Sequence, residues 1–212
     1  MSALFSVAEA RALAALTEKS LTTPDYYPMT VNGLMAACNQ KTSRQPVLSL
    51  SEGEVGNALL TLEEKGFVGR DDSSARATKW RSRFQHQLLL KPATQAVLVT
   101  LVLRGAQTTA ELRSNAAALN GPADVEGVQA ALDDLADRAQ PLVMTLPRMA
   151  GQSAVRHVHL LSGEPDVSEL TPAPERSAHA ERTNPLEARV AALEARLAAL
   201  EAQLGVAPAK GS

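Results

Sequence analysis

The residues best suited to chemistry lie in one run: Asn39, Gln40, Lys41, Thr42, Ser43, Arg44 and Gln45, closed by Pro46. Seven consecutive polar side chains are costly to bury, so the run is expected at the surface. Its two charges are both positive, and every other member is a hydrogen-bonding group. Lys41 and Arg44 are suited to phosphate, and Asn39, Gln40 and Gln45 to base edges. A second group of cations, Arg70, Arg76, Lys79, Arg81 and Arg83, falls where the chain reads as a β-hairpin. Trp80, the only tryptophan, sits between Lys79 and Arg81. It could stack on a base, but strand alternation favours an inward Trp80 with its charged neighbours pointing out.

Other chemistries find less support. Cys38 is the only cysteine, so an intrachain disulfide is excluded. It follows Met35 at an apolar helical position without a CxxC partner and reads as a buried, inert thiol. His157 and His159 would share a strand face, but two histidines without a third ligand read as structural rather than metal-binding. No glycine-rich phosphate loop, GxSxG or HExxH is present. No catalytic residue, metal or cofactor is therefore assigned, and a non-enzymatic role is expected.

The elements that must position these residues are mostly helical. Aromatic content is only 3% within 45% apolar residues, so the core must come from Leu, Val and Ala, which favours helices. The net charge of −2 argues against a generally basic nucleic-acid protein. No basic-then-apolar leader opens the chain, and the longest apolar run, Ala96–Leu103 broken by Thr100, is too short to span a bilayer. A cytoplasmic protein without membrane contact is expected.

Ser6 with Glu9 marks a capping box, and Val7, Ala10, Leu13, Ala14 and Leu16 follow at helical spacing to about Ser20. A turn at Thr22-Thr23-Pro24 leads through Pro28 and Thr30 to a second helix, Val31–Cys38. A third starts at Ser51 with Glu54 and ends at Gly66. Phe67-Val68 and Thr78–Phe84 read as the strands of a hairpin. The order then repeats: a helix from Pro92 to Gly105, one over Ala110–Leu119, one capped by Asp124, and strands at Leu142–Leu146 and Val155–Leu161. VxxALxxL occurs at both Val55–Leu62 and Val128–Leu135. Three helices followed by a hairpin, twice, is the order of two tandem winged-helix domains. Thr22 to Thr108 spans 86 residues and Val55 to Val128 spans 73, which assigns about 13 surplus residues to the polar run.

The expected organisation is a first winged-helix domain over 1–88 with an insertion at 39–51, and a second over 89–163. A proline-bearing linker, 164–184, follows, then a coiled-coil-like helix over 185–205. Leu186, Val190, Leu193, Leu197, Leu200 and Leu204 form its heptad seam, suited to pairing two chains as a homodimer or to docking on the domains.

The segment LTTPDYYPMTVNGLMAACNQKTSRQPVLSLSEGEV, the run Leu101–Thr108 (LVLRGAQT) and the closing HLLSGE of His159–Glu164 resemble the YceH-like family of bacterial proteins. The resemblance covers roughly residues 4–164. It implies a tandem winged-helix fold and carries over no catalytic residue and no ligand.

Two readings of function follow. In the first, a DNA-associated regulator grips duplex DNA through the polar run and basic wing of the first domain. The second domain is a poor reader, because its third helix carries Asp124, Glu126, Asp133, Asp134 and Asp137 against Arg138. In the second reading, the same acidic third helices serve a protein-interaction scaffold that does not bind DNA. A small-molecule sensor with a pocket at the domain junction is a third option without a supporting motif. One contiguous positive face would favour DNA; cations interleaved with acid would favour the scaffold.

Overall fold

Five of the seven α-helices among the described residues start beside a side chain that accepts from an unpaired backbone N–H group. The computed structural model describes residues 3–71, 77–148 and 154–165. Helix α1 (Val7–Thr22) opens on a capping box between Ser6 and Glu9. A 3-10 turn, Pro24–Tyr26, separates it from α2 (Val31–Cys38), capped by the Thr30 hydroxyl. Helix α3 (Glu52–Glu64) has the Ser51/Glu54 box. Strands β1 (Val68–Asp71) and β2 (Lys79–Ser82) pair antiparallel, with Val68 opposite Ser82 and Arg70 opposite Trp80. A short helix α4 (Phe84–Gln87) follows, where the sequence suggested a longer second strand.

The second half repeats the order. Helix α5 (Pro92–Arg104) begins with proline and stops at Gly105, whose φ of 74° suits glycine. Helix α6 (Thr109–Ala116) has a Thr108/Glu111 capping box and runs into a 3-10 turn. Helix α7 (Val125–Ala136) is capped by Asp124. Strands β3 (Val143–Thr145) and β4 (His157–His159) form the second antiparallel hairpin. The described chain is thus mainly helical with two small hairpins.

Each hairpin also gains one bridging residue from the segment ahead of the second helix. Met29 and Trp80 exchange both backbone hydrogen bonds, at 3.2 and 2.8 Å; Gln107 and His157 do the same at 3.0 and 2.8 Å. These bridges correct the alignment of the two halves. Thr30, not Thr22, is the counterpart of Thr108, since each caps the second helix one residue after its bridge. Thr30 to Thr108 is 78 residues and the caps Ser51 and Asp124 are 73 apart, so the loop between α2 and α3 carries about five extra residues, not 13. The remaining surplus precedes α2, around the turn started by Pro24.

The core is continuous through both halves. Helix α1 is buried at every position from Ala10 to Thr17, and α5 from Thr94 to Leu103. Helices buried on all sides lie at the centre of a fold, and α1 packs directly against α5. The N–H groups of Leu4 and Phe5 both donate to the Leu161 carbonyl, at 3.0 and 2.9 Å. The Phe5 ring meets Phe67 edge-on, with centroids 4.8 Å apart. Residues Met1–Val167 form one compact unit. The expected seam from Leu186 to Leu204 lies outside the described residues.

Candidate nucleic-acid interface

The polar run is a surface loop hung on buried arginines. Arg44, expected to face phosphate, is 4% exposed. Its Nε and Nη2 donate to the Ala37 carbonyl at 3.1 and 2.9 Å, and its guanidinium grips Glu18 of α1 at 3.1 and 2.6 Å. That placement overturns the expectation of a phosphate contact: the side chain is spent on closing the loop. The cost of burying it is met because its charge has a carboxylate and its donors have acceptors. Burial pushes the Glu18 carboxyl up, but hydrogen bonds and charge from Arg44, with help from Lys19, outweigh it and hold the group below the ordinary glutamate range.

A second buried arginine went unrecognised in the sequence. Arg11 is 3% exposed and donates to the carbonyls of Cys38, at 3.3 Å, and Pro46, at 2.8 Å. The available signal was its position: Arg11 interrupts the Ala-Leu face of α1 that the helical spacing assigns to the core. Between them, Arg11 and Arg44 tie both ends of the loop to α1. Cys38 lies beside them, buried as expected, and burial raises its thiol to about 12 despite the pull of the two arginines.

The amides are partly committed as well. Asn39 donates to the Leu50 carbonyl at 2.7 Å and accepts from the Leu50 N–H at 2.8 Å, closing the loop like a strand pair. Gln40 accepts from Lys19 at 3.5 Å. The Gln45 N–H donates to Leu103 at 2.8 Å, and Arg104 donates to the Ser43 hydroxyl at 2.8 Å, so the loop also rests on the end of α5. Lys41 and the Gln45 side chain face solvent.

The hairpin cations divide in the same way. Trp80 is buried at 4% exposed, as its alternation predicted, and Arg70 lies over its ring at 5.3 Å while pairing with Glu63 at 2.8 Å. Arg81 pairs with Asp71 and covers the Tyr27 ring at 5.7 Å. Lys79 and Arg81 share a face of β2 by their spacing of two, and Arg83 follows just past the strand. Gly69, opposite Arg81, leaves room for Arg83: a Cβ there would sit 2.8 Å from the Arg83 guanidinium. Arg76 lies outside the described residues. Among the described residues, Lys41, Lys79 and Arg83 are the sequence-selected cations that form no ion pair.

The third helices present acid. Glu52, Glu54, Asn57 and Glu64 are exposed on α3, and Glu126, Gln129, Asp133 and Asp137 on or at the end of α7. Lys65, at the end of α3, is drawn away to Glu9 at 2.7 Å. Positive charge therefore does not form one face with Arg44 at its centre. His157 and His159 act within the fold: His157 Nδ1 meets the Thr145 hydroxyl at 3.1 Å. Among the described residues no cluster of three potential metal ligands occurs, and no helix is long and apolar enough to cross a membrane.

Comparison with known proteins agrees with the resemblance read from the sequence. The family model described as "Protein of unknown function, DUF480" matches residues 5–152. The chain is similar to a UPF0502 protein of Geobacter sulfurreducens, 43% identical over 198 residues and covering 90% of each chain. It is similar to another from Geotalea uraniireducens, 43% identical over 190 residues, with 86% of this chain and 87% of the relative covered. A UPF0502 protein of Burkholderia ambifaria is 46% identical over 162 residues, 76% of this chain and 68% of the relative. On the extent of these matches, the chain belongs to the DUF480/UPF0502 family of bacterial proteins.

Proposed function

We propose that this protein is a non-enzymatic interaction module of the cytoplasm, built from two winged-helix halves on one core. A protein partner docks against the acidic outer faces of α3 and α7. The C-terminal helix joins two chains through Leu186–Leu204. The winged-helix assignment is supported by the element order and by the two single-residue bridges, each adding a third strand to its hairpin ahead of the second helix.

The observation that carries the interaction reading is the pairing of charge. The helix that a DNA-binding winged helix inserts into the groove is here the acidic one, and Arg44, Arg70 and Arg81 are occupied by Glu18, Glu63 and Asp71. Phosphate would have to displace these carboxylates. A tagged chain carrying Glu52→Lys, Glu54→Lys, Glu126→Lys and Asp133→Lys is expected to lose the proteins that co-purify with the parent, with folding checked by circular dichroism. Retention of the same proteins overturns the assignment.

DNA binding is the second reading, favoured by Lys41, Lys79 and Arg83, which form no ion pair among the described residues. Fluorescence anisotropy with random duplex DNA at two salt concentrations separates the two. On the interaction reading, affinity stays in the weak non-specific range even at low salt. Tight, steeply salt-dependent binding that Lys41→Ala, Lys79→Ala and Arg83→Ala together abolish would establish the DNA reading instead.

A further inference from the structure

An open depression of about 540 Å³ runs along α2 in the first half of the molecule, lined in part by Gly33, Ala36 and Ala37. A Cβ at Gly33 would meet only Thr30 Oγ1 at 3.4 Å and Met29 Cε at 3.6 Å, ordinary contacts. Alanine would fit there and favour the helix. Nothing in the packing of the chain requires the glycine; its effect is to keep the helix surface low.

Tyr26 stands at the rim. The chain has three Phe, two Tyr and one Trp, all among the described residues. Phe5, Phe67, Trp80 and Phe84 are buried, and Tyr27 is half-buried with its hydroxyl accepting from the Ser82 N–H at 2.7 Å. Tyr26 is the one aromatic ring left in water, 79% exposed. Its backbone is held: the Tyr26 N–H donates to the Thr23 carbonyl at 3.0 Å, the Tyr27 N–H to the Pro24 carbonyl at 3.1 Å, and Pro24 starts the turn. A ring presented on a fixed backbone loses little freedom on docking, and tyrosines are enriched among the anchors of interfaces.

The lining is also mixed in charge. Asp25 and Lys79 both belong to it, and neither forms an ion pair among the described residues. Knob and hollow, acid and base thus occur on one patch. A two-fold contact requires this, because the same surface meets itself and every pair occurs twice. A foreign partner requires no such self-matching.

We infer that this depression is a contact between two copies of the chain, the Tyr26 ring of each seated over Gly33 and Ala36 of the other, with Asp25 facing Lys79 across the axis. The two rings supply roughly 300–500 Å², against about 1,200 Å² at the low end of stable interfaces. The contact is therefore reversible and suited to covalent trapping. The inference rests neither on partner docking at α3 and α7 nor on pairing through Leu186–Leu204.

Disulfide trapping of full chains tests it. A chain carrying Tyr26→Cys is mixed with one carrying Ala36→Cys, oxidised briefly and quenched; the second chain keeps its own Tyr26, so half of the contact is intact. Cys38 stays in place because it is buried. A chain carrying Glu126→Cys, exposed on α7, mixed with the Ala36→Cys chain controls for chance collision and for chains held together elsewhere. Each rate is divided by the reactivity of the same cysteines toward a small disulfide. The 26–36 bond is expected to form about tenfold faster than the control or more. Gly33→Arg in the Ala36→Cys chain fills the hollow and should slow it about fivefold or more. Asp25→Lys in both chains should also slow it, and adding Lys79→Asp to both should restore it. Unchanged melting temperatures confirm folding. Equal rates for the 26–36 pair and the control leave the depression to another occupant and overturn the inference. A 26–36 rate that Gly33→Arg does not move overturns it as well, and failure of Lys79→Asp to restore the rate overturns the two-fold arrangement.

Discussion

Glu18 on α1 and Arg44 in the loop after α2, 26 residues apart, form a two-pronged ion pair with its closest approach at 2.6 Å. The Arg44 side chain is fully covered and that of Glu18 is 14% exposed. The pair joins the most central helix of the first half to the segment with the most polar sequence.

Removing one partner strands the other. Glu18→Gln should destabilise the fold by about 3–5 kcal/mol, because it leaves the Arg44 cation buried without its carboxylate. The double variant Glu18→Leu, Arg44→Met should recover much of that loss. Urea denaturation of the parent, Glu18→Leu, Arg44→Met and the double variant measures it, and strict additivity of the two single effects would show that the side chains do not interact.

Asn39 is predicted to act as a structural amide. Asn39→Ala leaves both the N–H and the carbonyl of Leu50 without partners and should cost about 1–3 kcal/mol in thermal or chemical unfolding. Asn39→Asp keeps the acceptor and loses the donor, so its cost should fall between alanine and the parent.

Acid should weaken the second hairpin. Burial, with the positive field of Arg11, lowers the His159 imidazole to about 4, and burial lowers His157 despite the nearby Asp133. The buried Nδ1 of His159 and Nε2 of His157 have no hydrogen-bond partner. A folded pKa below the unfolded value of about 6.5 means that the unfolded chain takes up protons first. This stability is fully present above about pH 6.5 and is lost as pH falls toward 4, by about 3 kcal/mol for His159. His159→Phe should flatten the decline in melting temperature across that window. A decline as steep as in the parent would assign it to other groups.

Cys38 should resist modification. With its thiol raised to about 12, the thiolate fraction near pH 8 is about one in ten thousand, and the side chain is buried. Reaction with a disulfide reagent such as DTNB should be slow in the native protein and rapid in urea. Rapid native labelling would mean that the loop opens away from α1.

The features legible in the sequence were those decided within a few residues. Ser6 with Glu9, Ser51 with Glu54, Asp124, Pro92 and Gly105 mark helix ends because capping is a contact over three or four positions. Trp80 was placed inward correctly by strand alternation. Arg44 was misread because its burial depends on Glu18 and on the Ala37 carbonyl, neither of which belongs to the polar run. Composition reports what a segment would cost to bury, not whether another segment has already met that cost. The Thr22–Thr108 equivalence failed for a related reason: a threonine pair is a local signal, whereas the Met29–Trp80 and Gln107–His157 bridges that fix the true alignment span 51 and 50 positions.

The Leu161 carbonyl receives the N–H groups of both Leu4 and Phe5, and the Phe5 ring closes over Phe67. Synthesis on the ribosome proceeds in the opposite sense to this closure: the acceptor for the opening residues is among the last parts of the unit to emerge. While α5 and Leu161 are still inside the exit tunnel, α1 has an apolar surface with no cover and Phe5 has no backbone anchor. The two halves therefore complete their packing together, once Leu161 has emerged, rather than half by half.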